Sequence, residues 1–148
     1  MSINYKFYEE KIRSQIEEMM FSLYKEDPAG MPINHNKINA TLSECERHPE
    51  KTKLISIWHG KELVGYALIV LFWSNEYGGN IICLDEIYIK ETFRNRGIGS
   101  RVIEDIPNLF PEGVAISLEV TPSNERAKVF YERGGFIQKE NLSMIRIF

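Results

Sequence analysis

Arg94-Asn95-Arg96-Gly97-Ile98-Gly99-Ser100 sits between a strand-like run, Ile81 to Ile89, and a segment where Val102, Ile103 and Ile106 recur at helical spacing. Two glycines one residue apart, at the opening of a helix, let backbone N–H groups converge on one concavity without a Cβ in the way. The helix start adds unpaired N–H groups and the positive end of its dipole, so the concavity suits phosphate oxygens. Arg94, Arg96 and Arg101 place positive charge around it in a chain of net charge −3. The stretch reads as a phosphate cradle, against the plainer alternative of an ordinary strand-to-helix loop. A Walker loop would end in Gly-Lys-Ser/Thr, and none is present. A dinucleotide fingerprint would put a third glycine where Val102 stands. What remains is Arg-x-x-Gly-x-Gly after a strand.

Upstream, Ile3 to Phe7 alternates as a short strand. Ile12, Ile16, Met19, Met20 and Leu23 mark an amphipathic helix over Tyr8–Lys25, stopped by Asp27-Pro28-Ala29-Gly30. Met31 to Asn36 reads as loop, and a second helix runs from about Lys37 to Arg47 with Ile38, Leu42 and Cys45 on one face. A hairpin follows: Leu54, Ile55 and Ile57 in one strand, a turn at His59–Glu62, and Leu63 to Phe72 as partner. Trp73 to Asn80 reads as a polar loop. Beyond the cradle a helix from Gly99 to Ile106 is expected to close at Pro107 and Pro111. Val114 to Val120 reads as a strand, and a helix from Thr121-Pro122-Ser123-Asn124 to Glu132 ends at Gly134-Gly135. Phe136–Gln138 and Leu142–Phe148 read as two closing strands. The order predicts an α+β, mixed α/β fold: a central mixed sheet of six to seven strands with helices on both faces. The strands flanking the cradle should lie parallel, with a ligand where their carboxyl ends separate.

Composition narrows the function classes. A length of 148 residues with 43% hydrophobic content suits one domain, residues 1–148, without repeats or linkers. Net charge of −3 argues against nucleic acid as the main partner. Cys45 and Cys83 are far apart and His35, His48 and His59 are scattered, so no metal site is expected, and the cysteine usage fits a reducing cytoplasm. Met1 to Glu10 lacks the apolar run of a signal peptide, and charges interrupt the apolar stretch from Ile55 to Trp73, so no membrane partner is expected.

Leu84-Asp85-Glu86-Ile87-Tyr88-Ile89 followed by Phe93 to Ser100 resembles motif A of the GNAT superfamily, the acyl-CoA-dependent N-acetyltransferases. Asn124-Glu125-Arg126-Ala127-Lys128-Val129-Phe130-Tyr131-Glu132-Arg133-Gly134-Gly135-Phe136 resembles that family's Asn-x-x-Ala-x-x-Phe-Tyr-x-x-x-Gly-Phe block. The two motifs stand in the family's order, and the order of elements matches over essentially the whole chain.

The resemblance implies acetyl-CoA as co-substrate. Its pyrophosphate would rest on backbone N–H groups of Arg96, Gly97, Ile98, Gly99 and Ser100, with Arg94 beside them. Its pantetheine arm would pair with the backbone of Ile87, Tyr88 and Ile89, as a peptide adds to an open sheet edge. Asn124 and Lys128 join the cofactor side; a solvent-facing Lys128 is the plainer alternative. It also implies Tyr131 as the general acid for the leaving thiolate. Helical spacing separately puts Asn124 and Tyr131 on one face. A phenol of pKa ~10 can protonate a thiolate whose conjugate acid lies near ~8.5.

An ammonium must lose a proton before it attacks a thioester, and Asp85 is the candidate base, with a purely structural Asp85 as the alternative. Alternation would put Asp85 on the face of Ile87 and Ile89, and Glu86 on the other, beside a basic residue. Glu26 and Asp27, ending the first helix, and Trp73, Glu76 and Tyr77, in the polar loop, would draw a small cationic amine to the acceptor site. The expected function is transfer of acetyl from acetyl-CoA to such a primary amine by direct attack. The alternative is an acyl-CoA-binding regulatory module without turnover. A homodimer is compatible with either.

Overall fold

A computed structural model describes residues 2–28 and 30–148, so Ala29 of the expected helix stop lies outside the described residues. Five strands form one sheet in the order β1-β2-β3-β4-β5: β1 (Ile3–Phe7), β2 (Thr52–His59), β3 (Glu62–Ser74), β4 (Gly79–Ile89) and β5 (Gly113–Ser117). The first four run antiparallel to their neighbours, and β5 lies parallel to β4. Four α-helices accompany the sheet: α1 (Arg13–Glu26), α2 (His35–Arg47), α3 (Ile98–Leu109) and α4 (Glu125–Arg133).

The apolar stripes read from the sequence explain where the helices sit. Ile12, Ile16, Met19 and Met20 of the first helical segment join Ile38 and Leu42 of α2 in a core against Leu54, Tyr66, Leu68 and Tyr88. On the opposite face Ile98, Val102 and Ile106 of α3 pack on Ile55, Ile57, Ala67, Ile69, Ile82 and Leu84. Helices therefore cover both faces of a mixed sheet. The β4–α3–β5 unit is the crossover that makes β4 and β5 parallel.

Several expected boundaries move. Residues 10–12 form a 3-10 turn before α1, and α2 starts at His35, where Asn34 Oδ1 accepts the Lys37 N–H as an N-cap. The polar loop at Trp73–Asn80 is shorter than expected, because Trp73 pairs with Asn80 and Ser74 with Gly79 across a tight turn closed by Gly78 at φ +67°. Pro107 lies inside α3 and does not end it. In the last turn a missing N–H forfeits one hydrogen bond, while burial of Ile98, Val102 and Ile106 keeps the helix on the sheet.

The six to seven strands are corrected to five. Phe136–Gln138 and Leu142–Phe148 form no strand among the described residues. Leu142, Met144, Ile145 and Phe148 are exposed. A strand exists only through its ladder partners, and this segment touches the body through side chains: Ser143 Oγ donates to Glu119 at 3.4 Å, and Lys139 lies over the Tyr77 ring.

Candidate active site

The ladder between β4 and β5 runs from Asn80–Gly113 to Cys83–Ser117 and stops there. β4 continues to Ile89, so its edge from Leu84 onward has no β5 partner, and the two chains splay apart. The cause is visible in the β3–β4 register. Leu68 pairs with Glu86 and Ile69 with Leu84, which leaves Asp85 as the extra residue of a β-bulge. The bulge bends β4 away from β5 and breaks its alternation. Leu84 packs on the α3 side, and so do Ile87 and Ile89; Tyr88 packs on the α1 side. Simple alternation from Ile87 and Ile89 therefore does not carry back to Asp85.

A cleft of about 460 Å³ fills the splay. Asp85, Glu86 and Ile87 line it from β4, Leu118 to Thr121 from the chain beyond β5, Tyr24, Glu26 and Asp27 from the end of α1, and Asn124 and Tyr131 from α4. Three polar ties hold α1 over it. Tyr24 donates to Glu86 at 2.6 Å, Arg94 pairs with Glu26 at 2.8 Å, and Thr121 donates to Asp27 at 3.1 Å.

Glu86 is held by two tyrosines and not by a basic residue, since the fully buried Tyr66 also donates to it, at 2.9 Å. Burial pushes its carboxyl above the ordinary range, against the two tyrosine hydrogen bonds that pull it down. Asp85 opens on the cleft, yet the walls desolvate it, and the nearby Glu119 charge adds to that; both raise its pKa. Burial also raises Tyr131, which keeps its phenol protonated. Phe136 and Phe130 pack edge-on against the Tyr131 ring and fix its plane.

The cradle adjoins the end of β4. Asn95 at φ +61° and Gly97 at φ +77° turn the chain, and α3 begins at Ile98 with no side chain capping it and no acidic residue in its first turn. A Cβ on Gly97 would meet nothing within 4 Å, so the loop faces open space. These features fit an anion bound through the N–H groups of Ile98, Gly99 and Ser100. Arg126 of α4 donates to the Asn95 side chain at 2.7 Å and ties the two motifs together.

The structure distributes the remaining expected residues unevenly. Arg94 donates through Nε to the Ile89 carbonyl at 2.8 Å and pairs with Glu26, so its guanidinium is engaged beside the cradle. Arg96 stacks over Phe93, and Lys128 is half-buried on α4. Asn124 Oδ1 accepts the Ala127 N–H and caps α4. Trp73, Glu76 and Tyr77 do not join the cleft. They lie at the other end of β4, about 20 Å away at ~3.3 Å per strand residue. Sequence reading overlooked Glu119, Tyr24 and Thr121 as cleft residues. For Glu119 the signal was its place near the carboxyl end of the expected Val114–Val120 strand, where the two parallel strands should separate.

Comparison with known proteins accords with this geometry. Residues 14–136 match the model of the family described as Acetyltransferase (GNAT) family. Thialysine N-epsilon-acetyltransferase of Bos taurus is 35% identical over 78 residues, 51% of this chain and 45% of that protein, so the match spans less than half the length of that relative. Among solved structures, one titled as a possible acetyltransferase from Clostridium difficile 630 superposes with a TM-score of 0.84 at 18% identity, covering 100% of this chain and 99% of that one. AAC(6')-Iy, in complex with the bisubstrate analogue CoA-S-monomethyl-acetylneamine, superposes at 0.78 with 14% identity, over 100% of this chain and 99% of its own. These two likenesses establish the fold.

Proposed function

This chain belongs to the GNAT acetyltransferase family, and on that premise we propose that it transfers acetyl from acetyl-CoA to a primary amine, a small cationic one, in the cleft between β4 and β5. The observation that supports this reading best is contiguity. An uncapped helix start with two glycines, an unpaired strand edge, a cleft carboxylate and a cleft phenol follow one another along a single path. The pyrophosphate rests on the N–H groups from Arg96 to Ser100, and the pantetheine arm adds to the open edge of Ile87–Ile89. Trp73, Glu76 and Tyr77, far from that path, are left out of the acceptor site.

Asp85 receives a proton from the acceptor ammonium, directly or through water, and its raised pKa makes it a stronger base than an ordinary carboxylate. The freed nitrogen lone pair attacks the thioester carbonyl carbon, and the tetrahedral intermediate expels the CoA thiolate. The Tyr131 hydroxyl gives that thiolate its proton, and the nitrogen's second proton, lost as the amide forms, returns to the Tyr131 oxygen through water. A covalent route through Cys83 is disfavoured, because burial and the nearby Asp85 and Glu119 charges push its thiol up, away from the thiolate. The thialysine relative acetylates an amine, which supports the acceptor class. Tyr131→Phe is expected to keep CoA affinity while lowering kcat by ~10²-fold. Thiol release with a panel of amines measures it, and full activity of Tyr131→Phe would return the residue to packing. CoA binding with no thiol release on any amine would favour a binding module.

A further inference from the structure

The acids lining the cleft are not equivalent. Glu26 is neutralised by Arg94, Asp27 accepts the Thr121 hydroxyl, and Glu86 accepts two tyrosine hydroxyls. Asp85 and Glu119 have no basic partner among the described residues; Glu119 touches the Ser143 hydroxyl at 3.4 Å. The cleft brings these two together. Beyond Cys83–Ser117, the last pair of the ladder, Asp85 lines the cleft from β4 and Glu119 from the chain beyond β5, near enough for the Glu119 charge to act on Asp85. Like charges in one cleft repel, and a cation between them removes the repulsion.

Resting on the acceptor reading above, we propose that Glu119 is a specificity residue: it binds a second cationic centre of the acceptor while Asp85 takes the proton of the attacking ammonium. The chemical class selected is a compact dication, a diamine or an amine carrying a second positive group a few carbons away. A single charge leaves one of the two carboxylates uncompensated. The titratable groups lining the cleft with Asp85 are Glu86 on its own strand, Glu119 beyond β5, Tyr24 and Glu26 of α1, Asp27 just after it, and Tyr131 from α4. Of the carboxylates among them, Glu119 is the one left with neither a cation nor a strong donor.

The test compares wild type, Glu119→Gln and Glu119→Asp on a short diamine and on a monoamine of matched length, with Asp85 titrated by carboxyl NMR. Glu119→Gln is expected to lower the diamine-to-monoamine ratio of kcat/KM by about 3- to 10-fold, mainly through KM for the diamine. Glu119→Asp should restore part of the ratio. The Asp85 titration should move down toward the ordinary carboxylate range, since one of its two causes is removed. An unchanged ratio in Glu119→Gln, with wild type active on both amines, overturns the specificity role and leaves the acetyltransfer reading intact. An unmoved Asp85 titration overturns the pairing. Wild type inactive on both amines overturns the acceptor reading together with this assignment.

Discussion

Replacing Glu86 with Leu removes the carboxylate at the centre of the cleft wall and fills its space with an apolar group of similar length. Tyr66 is fully buried and its hydroxyl donates to that carboxylate at 2.9 Å. With the acceptor gone and water kept out by the leucine, the hydroxyl is left unsatisfied, at a cost of about 1–3 kcal/mol. Tyr24, half-buried at the end of α1, also loses its acceptor but faces the cleft and regains water, so it adds about 0.5–1 kcal/mol. Glu86→Leu should therefore destabilise by about 1.5–4 kcal/mol. The sharper consequence is a reversal of sign. Tyr66→Phe should cost about 1 kcal/mol in wild type, where it breaks a satisfied pair, yet stabilise the Glu86→Leu protein, where it removes the orphaned hydroxyl. Urea unfolding followed by the fluorescence of Trp58 and Trp73 measures all four proteins. If Tyr66→Phe destabilises both backgrounds equally, Glu86 and Tyr66 are not coupled and the account of this wall is wrong.

Gly97→Val should strain the positive-φ position by about 1–2 kcal/mol and weaken CoA binding, measured by calorimetry; unchanged affinity in a folded variant would move the pyrophosphate elsewhere. Asp85→Asn should depress turnover with a cationic amine while CoA affinity stays near wild type, and normal turnover would remove the base assignment. The raised pKa of Asp85 also has a sign in stability. Its folded value exceeds the unfolded one, so its contribution is complete below the ordinary carboxylate pKa and is lost as pH rises through the raised value. Wild type should thus lose stability relative to Asp85→Asn as pH rises through that window, read from paired urea midpoints; the opposite trend would contradict the desolvation of Asp85.

How much was legible beforehand depended on which physical signal decides each feature. The stripes of α1 and α3 and the glycines of the loop before α3 are local patterns, so helices on both faces and a glycine-bearing strand-to-helix loop between parallel strands were readable. The bulge at Asp85 was not, since it exists only in the pairing of Glu86 with Leu68 and Leu84 with Ile69. Without it, simple alternation was carried across Asp85, where it does not hold, and Glu86 was given a basic partner where Tyr24 and Tyr66 stand. Trp73, Glu76 and Tyr77 were misplaced for a related reason: their residue types suit a binding loop, but the strand length of β4 carries them to the far end. The last segment shows the limit of propensity. Leu142–Phe148 has the composition of a strand, and composition supplies no ladder.

On the proposed reading, one cleft, bounded by the β4 bulge and the α3 start, both holds acetyl-CoA and performs the transfer. The most direct test is amide hydrogen exchange with CoA, coupled to thiol release on adding a cationic amine. Protection is predicted at Ile87–Ile89 and at Ile98–Ser100, with amine-dependent thiol release that equals N-acetyl product and falls ~10²-fold in Tyr131→Phe. Protection confined to other segments, or thiol release indifferent to Tyr131, would contradict it.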